Sequence, residues 1–254
     1  MISYFDKFKD MESTLNLDNN DKSDLEKEVL VYSTGKKIFM KDFDNKTYII
    51  IRERDDDVRS LCSHKGILYD AGYNQKIIET LTNKIISKRD GGIESLYSYN
   101  GWLYDCGEYP GVYDTLKNQI FIDQENRIKD LCFHKKELFV IMNDKIFSKQ
   151  RELEDKTRIK KIVSFNEDLI YLTEGNDIIS YSVGHFVKPK KKIKHRILPT
   201  YNLAVHNNEL YDVSGNTIYK TLTDEVITKE SSPIKAMCFH SRQDFVDAGI
   251  LEKT

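Results

Sequence analysis

The chain has 254 residues and a formal charge of −2, which gives no electrostatic reason for nucleic acid or an anionic membrane to be its main partner. Its 39% apolar residues, with 15 Tyr and 12 Phe, suffice for a large core, and no run of about 18 apolar residues offers a membrane span. The first residues, MISYFDKFKDMEST, lack the basic start and apolar stretch of a secretory signal, which points to the cytoplasm.

Residues 1–27 match nothing downstream, and the polar stretch DNNDKSD at 18–24 marks them as an N-terminal tail. Tyr4, Phe5 and Phe8 could anchor a short helix there, against the plainer reading of a frayed terminus. Residues 28–254 are expected to form one domain.

From Leu30 a pattern begins partway through a unit. LVYSTGKKIFMK at 30–41 aligns with LYDVSGNTIYKT at 210–221; Asp44-Asn45-Lys46 supplies a turn and residues 47–51 a strand. The first complete unit covers 58–89. The next copy, 93–124, repeats Ser60-Leu61, Leu68-Tyr69-Asp70, Gly72, Thr80-Leu81 and Asn83 identically 35 positions on. Within the unit, four short runs rich in β-branched and aromatic residues read as strands at 58–64, 67–71, 76–81 and 84–88. Lys65-Gly66 joins the first two, and Asn100-Gly101 does so in the next copy; such two-residue hairpins need positive φ at both positions. Gly72 or Gly107, then Thr82-Asn83 or Lys117-Asn118, make the remaining turns. Each unit is therefore a four-stranded antiparallel meander.

Further units start at Ile128, Ile159, Thr200 and Ile234, so successive spacings are 35, 35, 31, 41 and 34. The longest spacing holds an insertion at 184–199. The N-terminal unit lacks a first strand, while IKAMCFH at 234–240, which matches IKDLCFH at 128–134, is a first strand without a unit. The two chain ends are thus expected to share one unit, which removes free sheet edges. FVDAG at 245–249 competes with the N-terminal segment for the second-strand slot.

A meander has two faces and no core of its own, so it must stack on its neighbours. The continuous apolar runs Ile67-Leu68-Tyr69 and Trp102-Leu103-Tyr104 fit sheets covered on both faces. The expectation is all-β: a six-bladed β-propeller of four-stranded antiparallel blades, closed by the N- and C-terminal strands. Over 30–249 the repeat resembles the WD-repeat, kelch and NHL propellers. It has no Trp-Asp dipeptide at a strand end and no double glycine in each unit, so the resemblance is to the architecture.

Cys62, Cys132 and Cys238 share one position of the first strand, where other copies have Tyr97, Val163 and Ala204, and Cys106 sits at an apolar second-strand position. With no C-x-x-C spacing, these read as buried, inert thiols. His64, His134, His206 and His240 share the last position of the first strand, with Tyr99 and Phe165 in the other copies. Closed into a ring, His64, Tyr99, His134, His206 and His240 are candidate ligand-binding residues, since imidazole titrates near neutrality and binds metals; the competing reading is local support of each hairpin. Asp70, Asp105, Asp212 and Asp247 also share a position, with Val140 and Tyr171 elsewhere. Such a row could hold a cation, as in propeller lactonases resembling gluconolactonase, or could brace turn amides.

The one dense basic run comprises Lys188, Lys190, Lys191, Lys192, Lys194, His195 and Arg196. It resembles a nuclear import signal or a nucleic-acid patch, but it falls on the fourth strand, where lysines block edge-to-edge pairing. No nucleophile elbow, phosphate loop, dinucleotide fingerprint or zinc-protease motif occurs. The sequence therefore favours a monomeric, non-catalytic scaffold that presents its loop faces to a partner protein, with no catalytic residue, metal or cofactor assigned. The alternatives are a small-molecule or metal-dependent enzyme or lectin using the His and Asp rows, and nucleic-acid binding through the basic segment.

Overall fold

Pairing of the two chain ends organises the architecture. The computed structural model describes residues 28–43, 47–149, 152–153, 155–183 and 190–251. The expected tail at 1–27, the turn at Asp44-Asn45-Lys46 and Lys188 lie outside the described residues. The first sheet holds β1 (Glu28–Thr34), β2 (Lys37–Asp42) and β3 (Thr47–Glu53). The second holds β4 (Val58–His64), β5 (Ile67–Gly72), β6 (Lys76–Glu79) and β7 (Ile85–Lys88). A seven-stranded sheet follows: β8 (Ile93–Tyr99), β9 (Trp102–Gly107), β10 (Pro110–Asp114), β11 (Gln119–His134), β12 (Glu137–Met142), β13 (Lys145–Phe147) and β14 (Glu152–Leu153). The next holds β15 (Ile159–Phe165), β16 (Asp168–Thr173), β17 (Asp177–Ser182) and β18 (Lys191–His195). The last in sequence holds β19 (Thr200–His206), β20 (Glu209–Ser214), β21 (Thr217–Lys220) and β22 (Val226–Lys229). Strand β23 (Ala236–Ser241) then returns to β1, pairing from Glu28↔Ser241 to Ser33↔Ala236 and completing the first sheet.

The chain is thus all-β, a propeller-like ring of antiparallel sheets. The leading strands β4, β8, β11, β15, β19 and β23 pack side by side in a closed cycle. Among the described residues the buried apolar side chains fall into packets between neighbouring sheets instead of one central core. Val31, Met40, Leu61 and Leu68 form one such packet, and Leu96, Leu103, Tyr69 and Ile77 the next. This is what two-faced sheets require.

Turn chemistry follows the sequence closely. Lys65 and Gly66, Asn100 and Gly101, and Asn207 and Asn208 all have positive φ at the first hairpin of their units. Gly72, opposite Val58, is required for close approach: a Cβ there would stand 1.9 Å from the Asp57 carbonyl oxygen.

Two expectations are corrected. The competition for the second-strand slot goes to β1; residues 245–247 end helix α1 (Arg242–Asp247), which is started by Ser241, whose side chain accepts from Gln243 N, and pinned by fully buried Phe245, and residues 248–249 form the turn after it. Asp247 accordingly leaves the Asp row and accepts from Gln243 Nε2 at 2.7 Å. The units also do not all stand as separate four-stranded sheets, because β11 runs unbroken from β10 to β12.

The remaining members of the Asp row are latches between sheets. Arg54, just beyond β3, forks onto Asp70 of β5, with Nε to Oδ1 at 2.8 Å and Nη2 to Oδ2 at 2.5 Å. Arg89 holds Asp105 in the same way at 2.7 and 2.6 Å, and Arg196 holds Asp212 at 2.8 and 2.6 Å. Each arginine precedes its aspartate by 16 residues. Where the row has tyrosine, an acid replaces the arginine: Tyr171 donates to Asp155 at 2.6 Å and Tyr32 to Glu230 at 2.5 Å. The remaining junction has Gln124 and Val140 in these places, and there the continuous strand β11 does the joining.

Asp70 and Asp105 are fully buried, so removing one partner strands a charge away from water, at about 3–5 kcal/mol, whereas removing both costs far less. Asp70→Leu should lower unfolding free energy by about that amount, and Arg54→Met with Asp70→Leu should recover at least half. Urea denaturation measures both. A single-variant loss under about 1 kcal/mol would contradict the latch.

Candidate functional site

The site begins with a bulge repeated in every complete unit. Pairing of the leading strand with its neighbour slips between Val58 and Ser60, Ile93 and Ser95, Ile128 and Asp130, Ile159 and Lys161, and Thr200 and Asn202. The residue left out of the ladder is Arg59, Glu94, Lys129, Lys160 or Tyr201. A bulge re-aims its side chain away from the sheet. With Lys235, which precedes β23, these residues line one cavity of about 550 Å³ at the end where the leading strands enter. A second cavity of about 440 Å³ runs along those strands past Ser60, Ser95, Asn202 and Met237, and shares Lys161 with the first.

Charge at this mouth is divided. On one arc, Arg59 is ion-paired to Glu94 and stacks over Tyr73 at 3.4 Å from the ring centroid, with Asp57 and Glu108 nearby in the wall. On the other arc stand Arg127, Lys129, Lys160, Lys161 and Lys235 with one acid, Glu174. Lys129 pairs with Asp144 and Lys161 with Asp130 at 3.5 Å. Lys160 donates to the Thr200 carbonyl at 3.2 Å, and burial pulls its pKa below the usual lysine range against the opposing pull of Glu174. Lys235 lies over the Tyr201 ring at 3.9 Å.

The histidine row lies at the opposite end of the leading strands, and it faces sideways. His240 Nδ1 shares a hydrogen bond with Ser63 Oγ at 2.9 Å, His64 with Ser98 at 2.8 Å and His134 with Ser164 at 2.8 Å. Each serine belongs to the neighbouring leading strand. Where the row has Tyr99, the neighbour offers Phe133, stacked at 4.1 Å and 3°. His206 stacks on Phe239 at 3.9 Å and also meets the Glu28 carboxylate at 2.9 Å. His64, His134 and His240 are buried, and the Nε2 atoms of His64 and His134 have no hydrogen-bond partner. No group of three His, Cys, Asp or Glu side chains placed to hold a metal occurs among the described residues. Burial pushes the Cys62 thiol up to about 12 and those of Cys106, Cys132 and Cys238 well above their usual value; all four are free.

The basic segment forms the last strand of its sheet, and its charges face acids. Lys190 meets Asp155 at 3.2 Å, Lys192 and His195 meet Asp177 at 2.8 and 2.7 Å, and Lys194 and Arg196 both meet Asp224. Lys191 is exposed. The mouth residues carry no shared residue type that would mark them as a column in the sequence. The column Arg59, Glu94, Lys129, Lys160, Tyr201 and Lys235 is visible once the units are aligned, but only the bulge reveals where it points.

Among solved structures, the chain is similar to one in a crystal structure of a nidogen/laminin complex, with a TM-score of 0.65 and 10% identity, covering 84% of this chain and 98% of that one. It also aligns with the computationally designed Ika8 protein at a TM-score of 0.49 and 12% identity, over 82% of this chain and 76% of that one. No family model and no curated protein matches. The first likeness, with the ring of sheets, establishes a β-propeller architecture. No helix among the described residues is long and apolar enough to cross a membrane.

Burial holds His240 neutral, with its pKa down at about 4 against 6.5 when exposed, and lowers His64 and His134 as well. Between these values the unfolded chain binds the extra proton, so stability is complete above pH 6.5 and is lost as pH falls toward 4. For His240 the loss is on the order of 3 kcal/mol. Urea midpoints taken at pH 7, 6 and 5 should fall steadily, and less steeply in His240→Gln. A flat profile across this window would refute the assignment.

Proposed function

We propose that this chain is a six-bladed propeller that acts as a protein-binding scaffold, docking its partner on the face where the leading strands enter. In this reading β11 serves two blades, as the outer strand of one through its pairing with β10 and the leading strand of the next through its pairing with β12. The observation that carries the function is an apolar pair on that face. Ile197 has 94% of its surface in water and Leu198 has 49%. Both sit on the connection entering β19, and its ends are fixed: Arg196 is locked to Asp212, and Thr200 N donates to Asn176 Oδ1 at 3.1 Å. A rigidly held, exposed apolar pair gains from burial against an apolar surface of a partner. The fold neighbour solved in a nidogen/laminin complex is consistent with a propeller serving such a role.

The basic segment supports nucleic-acid binding less well, because most of its cations already face Asp155, Asp177 or Asp224. The test is affinity capture with the full chain, identification of the captured protein, and reconstitution with that protein purified. Ile197→Glu should weaken the reconstituted complex at least tenfold, the equivalent of about 1.4 kcal/mol. Ile67→Glu, at the opposite end of its strand and 40% exposed, should leave it unchanged. The reverse pattern would overturn the choice of face, and failure to reconstitute any complex would overturn the scaffold reading.

A further inference from the structure

We propose that the mouth of the central channel is a binding site for a small multivalent oxyanion, a compound bearing phosphate or several carboxylates, held chiefly by Lys160, Lys235 and Arg127. Three observations carry this, none of which depends on a protein partner. Side chains from separate sheets converge there: bulges in their leading strands turn out Lys129, Lys160 and Tyr201, Arg127 lies in β11 just before its bulge, and Lys235 immediately precedes β23, so the cluster is built by the fold rather than by one flexible loop. Its volume of about 550 Å³ lies within the range of small-molecule sites, roughly 300–1,000 Å³.

The third observation is the distribution of charge. Arg59 is matched by Glu94, Lys129 by Asp144 and Lys161 by Asp130. Among the described residues, no carboxylate stands within ion-pair distance of the Lys160 or Lys235 ammonium or of the Arg127 guanidinium. Lys160 is half-buried and donates to the Thr200 carbonyl, with only the longer-range pull of Glu174 set against the cost of burying its charge, a cost that a bound oxyanion relieves through charge-assisted hydrogen bonds. Tyr201, under Lys235, offers a flat wall against which the body of a ligand can lie. The acids Asp57, Glu94 and Glu108 line the opposite arc, and Glu174 is the one acid lining the cationic arc. With three acids on one arc and five cations against one acid on the other, the anionic end of a ligand is drawn toward the cationic arc.

The experiment titrates the full chain with sodium pyrophosphate and, separately, with citrate, by calorimetry at fixed ionic strength. Saturable binding of either probe at one site per chain is expected; pyrophosphate alone would assign the phosphate class, and citrate alone the polycarboxylate class. Lys160→Gln and Lys235→Gln should each weaken binding by about tenfold, as removal of one charge-assisted contact does. Lys160→Arg should retain affinity within about threefold. Lys65→Gln, in a turn at the far end of the leading strands, should have no effect. Circular dichroism verifies that each variant keeps the wild-type fold, and the two independent lysines guard against one of them failing to fold. Absence of saturable binding by both probes, indifference to both glutamine variants, or equal weakening by Lys65→Gln would overturn the site.

Discussion

Everything in this molecule follows from sheets that cannot cover themselves. Each meander has apolar side chains on two faces, and only a neighbour on either side removes both from water. Closure is then compulsory, and β1 with β23 accomplishes it by splitting one sheet between the chain ends. The apolar packets supply the drive but little direction, because near-identical faces can pack on one another in more than one order. Direction comes from the buried polar latches. A guanidinium set on Asp70, Asp105 or Asp212 accepts no other geometry without leaving a charge stranded.

The junctions also differ from one another in ways that distinguish the units. Three use arginine on aspartate, and two reverse the polarity and use tyrosine on an acid. The junction with Gln124 and Val140 has neither, and the polypeptide itself bridges it through β11. At the far end of the leading strands a second row repeats the principle: histidine meets serine, while Tyr99 and His206 meet phenylalanine. A neighbour with the wrong side chain would leave a buried imidazole nitrogen or hydroxyl unpaired. The two rows together favour one cyclic order over its permutations.

Much of this was legible in the sequence. Hairpin turns, strand limits and the shared terminal unit could be read from Lys65-Gly66, Asn100-Gly101 and the match of 234–240 to 128–134, because these depend on local backbone demands and on repetition. The Asp row was visible, but its partners were not: Arg54, Arg89 and Arg196 lie at the end of the preceding unit, and a 16-residue separation corresponds to no local period. The histidine row was likewise visible as a column, whereas its sideways hydrogen bonds depend on which residue the adjacent strand presents. Residues 245–249 resembled a second strand by composition. That slot was already filled, and Ser241 with Phe245 gave the segment a capped, buried helix instead.

The same contrast separates the structural columns from the candidate site. Columns that repeat one residue type around the ring, such as Asp70, Asp105 and Asp212, are occupied by interactions that every junction needs. A site, by contrast, needs different groups converging from different units. The bulge column supplies that: arginine, glutamate, lysine and tyrosine stand in equivalent backbone positions, all turned toward one cavity. Packing alone does not account for gathering Arg127, Lys129, Lys160, Lys161 and Lys235 on one arc against their mutual repulsion. The unlike column is the one whose side chains face a cavity, while the uniform columns face a neighbouring sheet.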